Sequence, residues 1–269
     1  MEKLRVAVGG LGAIGFEVAR SLDRGLPGLS LVAVSARDPE RAQARLAAFS
    51  DPPPVLPLEA LAAEAEILVE CAPAAVFDRL AKPAVEAGRT LLVLSAGTLL
   101  SRSELIEGAR ASRARLLVPS GAMLGLDAIR AAAEGTLASV TIVTRKPPNG
   151  LQGAPYLVAK GIDLTGLAEP LQVYSGPVRE AALHFPANVN VAAAVALAGI
   201  GPDRTRLEVW ADPAIERNTH RVDVVSDSAD FTMTISGRPS LENPRTGRLT
   251  PLSVIAALRR LTEPLVVGT

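Results

Sequence analysis

The chain has 269 residues, with 28 Lys+Arg against 28 Asp+Glu, zero formal net charge and 48% apolar residues. That length suggests one large domain or two ordinary ones, and that composition excludes disorder as the dominant state. Proteins that hold nucleic acid or an anionic membrane usually carry a basic excess; none is present, so neither partner is expected. One Cys excludes an intrachain disulfide framework and any Cys-rich metal or cluster site, and two His leave little room for a histidine metal site. No metal is expected. Acid–base chemistry by histidine must use His184 or His220. The opening MEKLRVAVGG has no secretory-leader pattern, and no apolar run is long enough to span a bilayer. The cytoplasm is the expected location.

The first half alternates strand and helix. Leu4–Gly9 reads as a buried strand and Ala13–Leu22 as a helix. Leu29–Ala36 is a second strand. Asp38 and Pro39 suit the N-cap and first position of the next helix. Glu66–Cys71 is a third strand. Val76–Ala87 is a helix ended at Gly88. Thr90–Ser95, a helix over Ser103–Ser112 and a strand over Ala114–Pro119 complete this half. Apolar strands alternating with helices predict a Rossmann-type α/β domain, a doubly wound parallel sheet covered on both faces.

The pattern changes after residue 120. A helix over Leu124–Glu134 and a strand over Ser139–Arg145 precede a loop, Lys146 to Gly150. Helices are predicted over Pro177–His184 and Val189–Ala198. Alternating segments follow at Thr205–Ala211, Thr219–Ser226 and Phe231–Ser236, with period two. A second α+β domain with a mixed, partly antiparallel sheet is expected. The last helix, Pro251–Leu261 with Thr250 as N-cap, is expected to pack back on the first domain. The predicted domains are residues 1–120, with about 241–269 returning to them, and 121–240.

Gly10-Leu11-Gly12-Ala13-Ile14-Gly15 is a G-x-G-x-x-G hexamer that follows a buried strand and opens a helix. Gly10 permits the tight turn, Gly12 lets a pyrophosphate approach the backbone, and Gly15 lets helix and strand pack closely. The N–H groups of the helix start, including those of Ala13 and Ile14, face the phosphates. An acid at the end of the second strand would mark strict NAD use. Ser35 and Arg37 stand there instead, and Asp38 is better explained as the helix cap. NADP is therefore expected to be accepted alongside NAD. Cys71 has no local base or cation to lower its pKa, and reads as a small buried residue rather than a nucleophile.

Later segments are more specific. SGA at 120–122 with GLDA at 125–128, TIVTRKPP at 141–148, FPANVNVAAA at 185–194, RNTHRV at 217–222 and NPRTGRLTPLS at 243–253 occur in an order and at separations that resemble the L-aspartate dehydrogenase family. The resemblance spans nearly the whole chain. It implies NAD(P)-dependent oxidative deamination of L-aspartate to iminoaspartate, then oxaloacetate and ammonia, with a link to NAD biosynthesis. It implies a catalytic and dimerisation role for residues 121–240, and a homodimer. It makes His220 the catalytic acid/base. It places Ala122 and an Asn of FPANVN at the cofactor, Asn190 ahead of Asn188.

The residues allow the same chemistry. The substrate ammonium must lose a proton, and the imine needs activated water; a His near neutral pH serves both steps. His220 lies near a predicted loop–strand junction, whereas His184, on a short helix, reads as structural. Asn188 and Asn190 sit at a helix start, where one serves as N-cap. Two substrate carboxylates call for a cation, with Arg145, Lys146 and Arg245 as candidates, each read singly as a surface charge. The rivals are other two-domain oxidoreductases, such as homoserine dehydrogenase or dihydrodipicolinate reductase, and a non-catalytic NAD(P)-binding protein.

Overall fold

A computed structural model describes residues 2–186, 189–240 and 247–268. They form two compact units, one up to Gly121 with Thr250–Val266, the other Ala122–Leu249 with Val267 and Gly268.

In the first unit, β1 (Leu4–Gly9) leads into α1 (Ala13–Asp23), followed by β2 (Leu29–Ser35) and α2 (Pro39–Leu46). Next come α3 (Leu61–Glu64), β3 (Ile67–Glu70), α4 (Phe77–Glu86), β4 (Thr90–Val93), α5 (Ala96–Leu99), α6 (Ser103–Ser112) and β5 (Arg115–Leu117). The strands form a parallel sheet in the order β2-β1-β3-β4-β5. Val6, Ala7 and Val8 of β1 and Leu68 and Val69 of β3 have no exposed surface. Such continuous apolar strands bury both sheet faces, as the sequence pattern predicts. One core joins Val6, Val8 and Val69 to Val18 and Leu22 of α1. The other joins Ala7, Leu68 and Leu91 to Phe77 and Leu80 of α4. The chain reverses direction across the sheet between β1 and β3, the crevice where such folds hold ligands.

The second unit holds α7 (Leu126–Ala133), β6 (Leu137–Lys146), α8 (Pro155–Lys160), β7 (Leu171–Pro177), α9 (Val178–His184), α10 (Asn190–Ala198), β8 (Arg206–Ala211), β9 (Thr219–Ser226) and β10 (Phe231–Ser236). Its sheet runs β10-β9-β6-β8-β7. Only the β6–β8 pair is parallel, so the sheet is mixed, as expected from the alternating segments. Residues 140, 142, 144 and 146 of β6 face inward with Leu207 and Val209 of β8 and with His220 and Val222 of β9. The helices cover this sheet: α10 lies against α7 and β6, and α9 against β7 and β8.

Helix α11 (Leu249–Arg260) carries Val254 and Leu258 into the first unit's core beside Leu22 and Leu26.

Several boundaries differ from the sequence reading. Lys146 is not in a loop; it ends β6, where it pairs with Ala211 and its carbonyl accepts from Asp212 N–H. Pro177 closes a strand rather than opening a helix. That strand, β7, is an edge whose register slips between Gln172 and Tyr174, which blurs its period-two signal. Helix α11 begins at Leu249, so Thr250 lies in its first turn and is not its N-cap. The N-cap of α10 is Val189, not an asparagine. Phe185 and Val189 are both buried, so apolar anchoring sets that helix entry rather than a polar cap.

Candidate active site

In the first unit the glycine hexamer bridges β1 and α1. Gly10 has φ +107°, a conformation that L side chains rarely adopt, and its N–H donates to Ser35 O at 2.9 Å. A Cβ on Gly10 would stand 2.6 Å from Cys71 O, so the loop is pressed against the end of β3. A Cβ on Gly15 would stand 1.8 Å from Gly10 O, so only glycine lets α1 pack onto its own entry turn. Gly12 is different: it is exposed, it is the N-cap of α1, and a Cβ there would meet nothing within 4 Å. No side chain caps α1. The first-turn N–H groups therefore need a partner from outside the helix, and open space lies over Gly12, a cradle that suits a dinucleotide pyrophosphate. Arg45 steadies the loop, donating to Leu11 O at 2.9 Å while its guanidinium lies over the Phe16 ring.

Ser35, at the end of β2, is buried, and Arg37 is exposed. Asp38 caps α2, accepting from Arg41 N–H at 3.0 Å. Its carboxylate is committed to that cap. Cys71 follows β3. Burial and the adjacent Glu70 push its thiol well above the usual range, so it is no thiolate at neutral pH.

Glu70 was not singled out by the sequence. It is 0% exposed and accepts from Leu94 N–H (3.0 Å), Ser95 N–H (2.8 Å) and Ser95 Oγ (3.0 Å), joining the C-terminal ends of β3 and β4. Burial pushes its pKa up, against the pull of these donors.

In the second unit His220 is the second residue of β9, 5% exposed, with Thr144 directly opposite on β6. Thr144 Oγ1 lies 3.0 Å from His220 Nδ1. Desolvation, with the charge of Lys146 second, lowers the imidazole pKa to about 4. The ring is neutral at pH 7, and Thr144 leaves Nε2 for other partners.

Lys146 is 7% exposed, on the same covered face as Thr144, and desolvation lowers its pKa to about 8. Extending the predicted strand by one residue would have found it: 140, 142, 144 and 146 then share one face. Arg145 falls on the opposite face, where it pairs with Asp212 at 3.1 Å and lies over Trp210.

His184, half-exposed at the end of α9, lies 4.9 Å from the Tyr156 ring and 3.6 Å from Glu180 Oε1. Ala122 opens the second unit, and Asn190 is the exposed first residue of α10. Asn188 and Arg245 lie outside the described residues. Among the described residues no cluster of three His, Cys, Asp or Glu side chains forms a metal site, and no helix is long and apolar enough to cross a membrane.

Residues 127–261 match the family model described as "Aspartate dehydrogenase, C-terminal", and residues 10–119 match "Homoserine dehydrogenase, NAD binding domain". The chain is 54% identical over 269 residues to L-aspartate dehydrogenase 3 of Bordetella bronchiseptica, covering 100% of this chain and 98% of that one. It is 51% identical over 267 residues to L-aspartate dehydrogenase of Bradyrhizobium diazoefficiens, covering 99% and 95%. Its fold resembles the crystal structure of aspartate dehydrogenase from Thermotoga maritima, with TM-score 0.73 and 23% identity over 99% of this chain and 100% of that one. On the family model and these near-full-length identities, the chain belongs to the aspartate dehydrogenase family.

Proposed function

We propose that this protein oxidatively deaminates L-aspartate with NAD or NADP, forming iminoaspartate and then oxaloacetate and ammonia. The observation that carries the reading is a neutral, buried imidazole, His220, set beside a buried ammonium in a chain of this family. The backbone of Gly10, Gly12, Ala13, Ile14 and Gly15 holds the pyrophosphate. Ser35 and Arg37 meet the adenosine ribose and accept a 2′-phosphate. Ala122, through its backbone, and Asn190 or Asn188 contact the nicotinamide portion. When bound, the nicotinamide supplies the two-electron acceptor for the substrate Cα–H bond.

His220 moves the protons. Its Nε2 takes one from the substrate ammonium, freeing the nitrogen lone pair that becomes the C=N bond. That proton passes to solvent, and the ring, neutral again, takes one from the water that attacks the iminium carbon. It returns this proton to the nitrogen of the carbinolamine and accepts the hydroxyl proton as the C–N bond breaks, so ammonia leaves and the carbonyl forms. Thr144 fixes the ring orientation through Nδ1.

The test is oxidation of NADH and NADPH with oxaloacetate and ammonia, and the reverse reaction with aspartate, alanine, glutamate and homoserine. Aspartate-linked turnover is expected. Its absence overturns the reading, and turnover of homoserine alone would replace it with the alcohol-dehydrogenase alternative. Titration of both cofactors tests the Ser35–Arg37 assignment; NADP binding over about a hundredfold weaker than NAD, about 2.8 kcal/mol, would reject it. We further place the enzyme in the cytoplasm as a homodimer whose iminoaspartate feeds NAD biosynthesis. Sedimentation at micromolar concentration reads the oligomeric state.

A further inference from the structure

We propose that Arg45 binds a phosphate of the cofactor, its guanidinium held ready beside the glycine hexamer for an anionic oxygen of the dinucleotide. The inference rests on the reading of the hexamer as the site of the cofactor's phosphates, and adds to it a full charge that the motif itself lacks.

The hexamer offers backbone alone. Its N–H groups and the helix end carry partial charges, whereas each dinucleotide phosphate carries a full one. Arg45, in the last turn of α2, comes to this loop from 34 positions away. Its Nη1 donates to Leu11 O at 2.9 Å, one residue before Gly12, where a Cβ would meet nothing within 4 Å. Its guanidinium carbon lies 3.8 Å from the centroid of the Phe16 ring. Phe16 is itself braced by the buried Phe49, their centroids 5.7 Å apart. One contact sets the position of the guanidinium and the other sets its plane. A long side chain so fixed loses little further freedom when an anion arrives.

Neither contact neutralises the charge. Among the described residues no carboxylate lies within ion-pair distance of Arg45. The acids of the neighbouring elements are committed or remote. Glu17 pairs with Arg20, Asp38 accepts from Arg41 N–H, and Asp23 accepts from Ser50 N–H. Glu40 is exposed in the first turn of α2, at the other end of that helix. A guanidinium carries more donors than one carbonyl uses, in a fork that matches two oxygens of one phosphate. The dinucleotide has two sources of such oxygens, the pyrophosphate and, in NADP, the 2′-phosphate.

The experiment titrates NADH and NADPH, followed by nicotinamide fluorescence, into wild type, Arg45→Met, Arg45→Lys and Gly12→Ala at low and high ionic strength. Loss of a hydrogen bond to a charged group predicts that Arg45→Met binds NADH at least about tenfold more weakly at low ionic strength. Arg45→Lys, which keeps the charge, should recover part of that loss. Salt screens an ion pair but leaves loop shape alone, so the gap between wild type and Arg45→Met should narrow at high ionic strength. An equal loss for both nucleotides assigns the contact to the pyrophosphate, and a larger loss for NADPH assigns it to the 2′-phosphate. Kd values within about twofold of wild type in Arg45→Met would overturn the proposal. So would a gap that ionic strength does not alter, the mark of a loop that has only lost its tie to Leu11. Thermal unfolding without nucleotide checks the fold; if Arg45→Met fails it, Arg45→Gln is read by the same criteria. Weak binding by Gly12→Ala beside normal binding by Arg45→Met keeps the glycine cradle and rejects Arg45. The reverse pattern keeps Arg45 and moves the phosphates away from Gly12. A wild type that binds neither nucleotide sinks the cofactor reading and this inference with it.

Discussion

Thr144 Oγ1 and His220 Nδ1 are 3.0 Å apart, joined across two neighbouring antiparallel strands and separated by 76 positions in the chain. A hydroxyl both donates and accepts, so it serves either tautomer of a neutral ring. It also fixes the ring plane, which a proton-transfer group needs. Thr144→Val keeps the shape and removes the partner. We expect kcat for aspartate to fall about fivefold, in line with roughly 1 kcal/mol for one hydrogen bond, with NADH affinity unchanged. His220→Asn should cost far more, about a hundredfold to ten-thousandfold in kcat. Equal kcat in Thr144→Val and wild type would remove Thr144 from the site.

The buried ring also links stability to pH. The folded pKa of His220, about 4, lies below the roughly 6.5 of an unfolded imidazole. Between these values the unfolded chain binds the extra proton, so stability rises with pH through that window. The contribution of His220 is complete above about pH 6.5. It is lost as pH falls toward 4, by at most about 3 kcal/mol. Urea unfolding of wild type and His220→Gln between pH 4.5 and 7 should show a shallower slope for the variant. Parallel slopes would mean that the ring is not desolvated.

Two glycines of one motif should behave oppositely. A Cβ at Gly15 collides with Gly10 O, a backbone atom that cannot swing away, whereas one at Gly12 meets nothing. Gly15→Ala is expected to destabilise the first unit by several kcal/mol, within the range for overpacking and backbone strain. Gly12→Ala should unfold like wild type, yet lose NADH affinity about tenfold or more, because the methyl group occupies the space open to the phosphates. Denaturation midpoints and NADH titration of the two variants separate packing from ligand contact. Normal NADH binding by Gly12→Ala would move the pyrophosphate elsewhere.

What the sequence made legible was local. The hexamer between a strand and a helix, the Asp38 cap and the alternation in Thr219–Ser226 each depend on neighbours a few residues apart, and each appears at its expected place. Lys146 was misread because the two prolines after it mark a loop. Its strand continues because β8 pairs with it, Lys146 opposite Ala211, a partner 65 residues away. The Thr144–His220 contact and the three donors around Glu70 are likewise products of register between distant strands. No period or spacing within one segment encodes them.

Glu70 shows how such a contact reaches the cofactor site. An ionised carboxylate accepts only, and here it meets the N–H groups of Leu94 and Ser95 and the Ser95 hydroxyl with none of its surface exposed. These donors cross from β4 to the last residue of β3. The next residue, Cys71, has its carbonyl against Gly10. A change at position 70 therefore acts on two levels. Glu70→Ala leaves three partly buried donors without their acceptor and opens a void, for an expected loss of about 3 kcal/mol. Glu70→Gln fills the space but turns an N–H group toward donors, and should lose less. Because the β3 end supports the glycine loop, both variants should weaken NADH binding in the order of their stability loss, whereas Gly12→Ala weakens it with no stability loss. NADH affinity unaltered in a destabilised Glu70→Ala would show that the glycine loop holds its shape without the β3–β4 tie.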